Sequence, residues 1–305
     1  MHFCACVINY SEQHQLNNHQ MELDEQVADT TYHVPRGGLP PQSERLADRA
    51  VFTESFAFIP ADVQTDIVTS FLPFWQATRL WVLARPMTGF AESFSHYLME
   101  VGSGGGSQQP EDDPEAQSVL FVVGGKASLT YGGKQTELGT GSYAYLPAGL
   151  EWQLQNKSDN PCHFHWIRKR YHRVAGIAVP QAFVTSDRDV APIAMPDTDG
   201  IWSTTRFVSP EDLAHDMHVN IVTFLPGGCI PFAETHVMEH GLYVLQGKGV
   251  YYLNGRWIEV VPGDYMWLRA FCPQACYAAG NEPFRYLLYK DVNRHMPLSL
   301  SGVPR

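Results

Sequence analysis

From about residue 46 onward the chain consists of short runs in which apolar and polar side chains alternate, separated by glycine-bearing turns. In the first half such runs cover Glu92 to Leu98, Ser118 to Val123 and Ala127 to Tyr131. In the second half they cover His218 to Phe224, Gly241 to Leu245, Gly249 to Leu253, Trp257 to Val261, Tyr265 to Leu268 and Phe284 to Tyr289. A period of two puts successive side chains on opposite faces, so each run predicts a half-buried β-strand. Helical patterning is nearly absent. Only Ser209-Pro-Glu-Asp-Leu reads as a short helical turn, with Ser209 as cap and Pro210 at the first helical position. An all-β fold is expected, with Gly102 to Gly106 and the following Gln108, Gln109, Glu111, Asp112 and Asp113 as a polar loop.

The pattern occurs twice. A shift of 122 positions carries Gly106 onto Gly228, Gly125 onto Gly247, Gly133 onto Gly255 and Gly141 onto Gly263 without a gap. That is an internal duplication. The expected organisation is a polar N-terminal extension (1–45), a first barrel (46–175), a proline- and aspartate-bearing linker (176–200) and a second barrel (201–305).

Composition agrees. A chain of 305 residues that is 44% hydrophobic can bury two cores, and 12% aromatic content is ample for filling small barrels. A formal charge of -11 argues against a nucleic-acid footprint or a polybasic membrane contact. Arg168-Lys169-Arg170 is the one basic cluster, expected as a solvated turn. No run reaches the roughly 20 apolar residues a membrane span needs, and the first residues lack the basic and apolar segments of a secretory leader. The six cysteines form no C-x-x-C pair, so a reduced, cytoplasmic setting is expected, with Cys272 and Cys276 as apolar filler.

The candidate chemistry lies between Gly228 and Gly247, where Glu234, His236 and His240 form an E-x-H-x3-H frame. On a strand, Glu234 and His236 would share one face, and His240 could return from the next stretch of chain. Imidazole nitrogens with a carboxylate suit a divalent transition metal. The duplication removes this chemistry from the first half: Glu234 falls on Asp112, His236 on Pro114 and His240 on Ser118. One half binds and the other supports. His218 and Asn220 alternate on the strand leading in, and are expected to face solvent or to support the ligands.

These glycine spacings resemble the cupin pattern. Gly141, Pro147, Gly149 and Asn156 match its second motif except at the histidine, which is Trp152. In the second half the first motif fits with Glu and His exchanged, and Gln274 occupies the final histidine position of a looser second motif. The resemblance therefore implies two tandem cupin barrels (double-stranded β-helix, or jelly-roll), with Gln274 as a fourth ligand through its side-chain oxygen. The Glu-His-His-Gln set, with Gly-Val-Tyr251-Tyr-Leu and the run from Arg285 through Tyr286 to Lys290, resembles the (S)-ureidoglycine aminohydrolase family from about Leu46 to Arg294.

That resemblance implies an enzyme of allantoin and purine breakdown that converts (S)-ureidoglycine to (S)-ureidoglycolate and ammonia. It implies a six-coordinate divalent ion, manganese(II) first, on Glu234, His236, His240 and Gln274. Tyr251, Tyr286, Lys290 and Glu234 would bind substrate, with Glu234 and Lys290 in catalytic roles and Lys290 on the carboxylate. Its partners would be a small-molecule substrate and further copies of the chain in a homo-oligomer, with no nucleic acid and no membrane. Two other readings stay open: a different metal-dependent cupin enzyme, such as a dioxygenase or a small keto-acid or sugar isomerase, and a non-enzymatic binding or storage bicupin.

Overall fold

A computed structural model describes residues 32–34, 49–64, 72–86 and 89–291 of the chain. Two strands precede the first repeat: β1 (Val51–Phe52) and β2 (Phe56–Ile59). The first repeat holds β3 (Trp75–Ala84), β4 (Phe94–Ser107), β5 (Ala116–Gly124), β6 (Ala127–Tyr131), β7 (Lys134–Leu138), β8 (Ser142–Leu146), β9 (Trp152–Gln155) and β10 (Cys162–Arg170). Two more strands follow, β11 (Phe183–Ser186) and β12 (Ile193–Ala194). The second repeat holds β13 (Trp202–Arg206), β14 (Met217–Phe224), β15 (His240–Gln246), β16 (Gly249–Leu253), β17 (Arg256–Val260), β18 (Tyr265–Leu268), β19 (Gln274–Ala278) and β20 (Phe284–Asp291). Among the described residues there is no α-helix, and a 3-10 turn spans Ala61–Val63.

The duplication extends to strand register. Trp166 on β10 lies opposite Leu120 on β5, and 122 residues later Leu288 on β20 lies opposite Leu242 on β15. Even the irregularity recurs, between His163 and Phe164 in one repeat and between Val244 and Gln246 in the other. The flanking strands cross over. β2 precedes the first repeat yet pairs with β18 of the second, whereas β11, which lies in the expected linker, pairs with β8 of the first. The second repeat's sheet is thus extended by a strand from ahead of the first repeat, and the first repeat's sheet by a strand from the linker.

Alternation along the strands builds three cores. Leu120, Val122, Met99 and Phe164 fill the first barrel, and Val222, Phe224, Leu242, Val244 and Tyr286 fill the second. The intervening residues, including Val219, Ile221, Tyr243, Tyr289, Phe94 and Phe121, pack between the barrels, where Phe94 stacks on Tyr289 with centroids 3.8 Å apart. Buried Tyr32 joins this middle layer; residues 1–31 and 35–45 of the expected extension lie outside the described residues.

Three local expectations are corrected. Gly102–Gly106 is the end of strand β4, not a loop. The glycines are needed there because a Cβ on Gly105 would stand 2.7 Å from the Gln76 carbonyl oxygen, and one on Gly106 would overlap the Leu154 carbonyl. Ser209 to Leu213 forms hydrogen-bonded turns rather than a helix, with Asp212 N–H donating to Ser209 O at 3.1 Å. Arg168-Lys169-Arg170 is strand, not solvated turn. Lys169 is buried and donates to Asp216 Oδ2 at 2.9 Å, and Arg168 forms a two-pronged pair with Glu111.

Candidate metal and substrate site in the second barrel

Glu234 and Gln274 face one another through a two-way backbone bridge, each N–H donating to the other's carbonyl at 2.9 Å. Beyond Glu234 the chain leaves strand geometry, so His236 sits in a loop and not on the strand expected from its spacing. The Phe271 N–H donates to the His236 carbonyl at 2.6 Å and ties this loop to the turn before β19. The loop still brings His236 Nε2 within 3.2 Å of Glu234 Oε1. The His236 and His240 rings stack 5.0 Å apart, inclined by 15°. His240 opens β15, and its Nδ1 lies 3.0 Å from the Met238 carbonyl. Donation to that carbonyl puts the proton on Nδ1 and leaves Nε2 as the ring's acceptor. Burial, and then the neighbouring His236, pushes His240 down to about 3, so it is neutral at pH 7.

Lys290 lies directly across the sheet from His240 on one side and His218 on the other. Because β14, β15 and β20 are in register, these three side chains form one row on the barrel's inner face. Burial, and then the charge of Arg206, holds Lys290 below the ordinary lysine range, while Glu234 pulls it back up. Tyr251 and Tyr286 pack edge to face in the barrel interior, with centroids 5.9 Å apart. Burial, followed by Tyr286 and Cys276 for Tyr251 and by Cys276 for Tyr286, raises both phenols well above their usual range. Cys276 lies opposite Tyr251 in the ladder, and with Cys272 it belongs to the apolar core, as expected for filler.

The cupin domain family matches residues 97–168 and 220–289, one match per repeat. The chain is 31% identical to (S)-ureidoglycine aminohydrolase of Escherichia coli K12 over 259 residues, 84% of this chain and 96% of that protein. It is 32% identical to (S)-ureidoglycine aminohydrolase of Arabidopsis thaliana over 248 residues, 81% of this chain and 79% of the relative. The chain belongs to the (S)-ureidoglycine aminohydrolase family. A solved structure from Pseudomonas aeruginosa, described as a candidate glyoxylate-induced protein, superposes with a TM-score of 0.84 at 58% identity, covering 90% of this chain and all of that one.

Within this family member, the structure gathers all the sequence-predicted residues at one barrel: Glu234, His236, His240 and Gln274 at the mouth, Tyr251, Tyr286 and Lys290 inside. Among the described residues, no three His, Cys, Asp or Glu side chains stand close enough together to hold a metal ion as placed. The donor set itself fits one. A neutral imidazole anchored through Nδ1 to a backbone carbonyl is the arrangement of a histidine that ligates through its other nitrogen. A second imidazole, a carboxylate and the buried amide of Gln274 complete a mixed nitrogen and oxygen set.

Three features were not legible in the sequence. Arg206 on β13, two strands from Lys290 in the same sheet, adds its charge to the Lys290 surroundings. The sequence leaves His218 and Asn220 either facing solvent or supporting the ligands, and the structure buries both on the inner face. Glu239, one residue before His240, accepts from Glu92 N at 2.6 Å, Ser93 N at 3.0 Å, Ser93 Oγ at 2.5 Å and Trp267 Nε1 at 2.6 Å. It staples the ligand loop to the segment that opens β4. Its only sequence signal was its place beside a candidate ligand.

Proposed function

We propose that this protein hydrolyses (S)-ureidoglycine to (S)-ureidoglycolate and ammonia, using a divalent metal, manganese(II) first, held by Glu234, His236, His240 and Gln274. The observation that carries this reading is the single inner face on which a neutral, carbonyl-anchored His240 adjoins Lys290. A bound ion would supply Lewis acidity and lower the pKa of a coordinated water. The reaction replaces the amine on the aminal carbon by hydroxyl, so the attacking water loses a proton and the departing amine gains one.

Lys290 supplies the positive charge for the substrate carboxylate and so orients the aminal carbon. Its position among buried groups makes this charge more effective than at a surface. Tyr251 and Tyr286 remain protonated at neutral pH because their pKa values are raised. They therefore orient the substrate as hydrogen-bonding phenols and do not act as phenolate bases. Glu234 is the carboxylate in reach of this proton traffic, and it takes the proton-transfer role beside the departing amine. The interior aromatic lining limits bulk water.

The test is ammonia release from freshly generated (S)-ureidoglycine by protein stripped of metal and reconstituted with manganese(II). A no-enzyme control and His240→Ala run alongside. Manganese-dependent release that disappears in the variant supports the reading; no release above background with manganese bound overturns it.

A further inference from the structure

On β14, His218 and Asn220 alternate with Val219 and Ile221, and both turn into the second barrel. Each side chain belongs to a residue only 4% exposed. His218 Nε2 and Asn220 Oδ1 have no hydrogen-bond partner among the described residues. Buried polar atoms are almost always paired, so two orphans two residues apart on one strand face mark room for a polar guest.

Strand register locates that room. His218, Lys290 and His240 form one cross-strand row, and Asn220, Leu288 and Leu242 form the next row inward. Arg206 stands opposite Asn220 on β13. The Lys290 ammonium suits a carboxylate. An acceptor oxygen and an imidazole nitrogen, set among leucines, suit an uncharged group that both donates and accepts hydrogen bonds. The first barrel lacks this polar pair: Ser95 and Tyr97 occupy the register positions of His218 and Asn220, and Trp166 replaces Leu288.

We infer that His218 and Asn220 are the specificity residues for the ureido end of the substrate, with Asn220 Oδ1 accepting a ureido N–H and His218 Nε2 bonding to the same group. This rests on the functional reading above, because it presumes a substrate that pairs a carboxylate with a ureido group. In this arrangement Lys290 fixes one end of the molecule and Asn220 the other, and the aminal carbon is presented between them. A site built to bond an N–H discriminates strongly against an isostere lacking it, because its acceptor is then left buried and unpaired.

The test uses manganese-loaded protein and two unreactive probes, N-carbamoylglycine and N-acetylglycine, which differ by an amino group against a methyl. Titration calorimetry should give the wild type roughly 10-fold or greater preference for N-carbamoylglycine. Asn220→Leu should bring that ratio toward one and raise KM for (S)-ureidoglycine about 10-fold, with kcat changed by less than about 3-fold. Asn220→Ala, which fits any core that tolerates asparagine, should do the same if the leucine variant does not fold. His218→Leu should lower the ratio in part. Equal binding or no binding of the probes by the wild type, or an unchanged ratio in the folded Asn220 variants, overturns the inference. Failure of the functional reading is seen separately, as wild-type protein that discriminates the probes yet releases no ammonia.

Discussion

Where the second barrel carries Gln274, the first carries Trp152; where the second has Leu288 and Tyr286, the first has Trp166 and Phe164. Trp75, Trp152 and Trp166 cluster there, with Trp166 5.6 Å from Trp75 and 5.8 Å from Trp152 between centroids. Trp166 Nε1 donates at 2.9 Å to Ser118 Oγ, at the position equivalent to His240. The counterpart of Lys290 is Arg168, which is engaged by Glu111 and lies over the Trp166 ring at 5.0 Å. A cleft of about 930 Å³ does open over this barrel, bordered by Glu111, Asp112 and Trp152, but its floor is aromatic and its cation is paired. One strand frame therefore has two fillings: with indoles it is a self-satisfied core, and without them His218 Nε2 and Asn220 Oδ1 are buried with no hydrogen-bond partner among the described residues.

The sharpest way to break this contrast is His240→Ala. Ammonia release should fall to the uncatalysed background and retained metal should be lost with it, measured by turnover and elemental analysis, whereas the unfolding midpoint should move little. Normal turnover in a metal-free variant would refute the assignment.

Trp166→Ala should do the reverse. Removing a buried indole leaves a cavity worth about 3–5 kcal/mol, read by denaturant unfolding, with KM for (S)-ureidoglycine unchanged. A large KM change there would mean that the first barrel takes part in binding.

Glu239→Gln probes the join between the two. The amide keeps the volume but turns an N–H₂ toward donors, so a loss of about 1.5–3 kcal/mol is expected. Because the staple sits next to His240, metal affinity should drop roughly 10- to 100-fold. A stability loss with metal affinity intact would make the staple purely structural.

The smallest effect concerns pH. Burial pushes Glu100 up, but hydrogen bonds and charge from Arg79 at 2.7 Å and His163 at 2.8 Å outweigh it and hold its carboxyl below the ordinary glutamate range. A carboxylate depressed in the folded state contributes stability that is present above its unfolded pKa and lost as pH falls through the folded one. The first barrel should therefore weaken below about pH 4.5, and Glu100→Gln should flatten that dependence in acid unfolding curves.

Period-two patterning and the 122-residue repeat were enough to expect two all-β barrels, because alternation follows directly from strand geometry and duplication needs only spacing. Strands such as Ala127–Tyr131 and Gly249–Leu253 are read from sequence to the residue. Glu234, His236 and His240 stood out as candidate ligands because such chemistry is local and absent from the first copy, whereas Gln274 entered only through its place in the cupin pattern.

Several decisions required the folded chain. Sequence order cannot say that Phe56–Ile59 completes the second sheet and Phe183–Ser186 the first, since pairing depends on which edge is free. Nor can it say which face of β14 points inward, as His218 and Asn220 look like any polar pair on a half-buried strand until register sets them beside Lys290. Burial and pairing alone made Lys169 a core cation, with Asp216 as its partner. The sequence by itself determined the period, the repeat and the donors. Only the tertiary structure decided which donors are enclosed together, because desolvation and hydrogen-bond satisfaction are properties of neighbours brought in from distant parts of the chain.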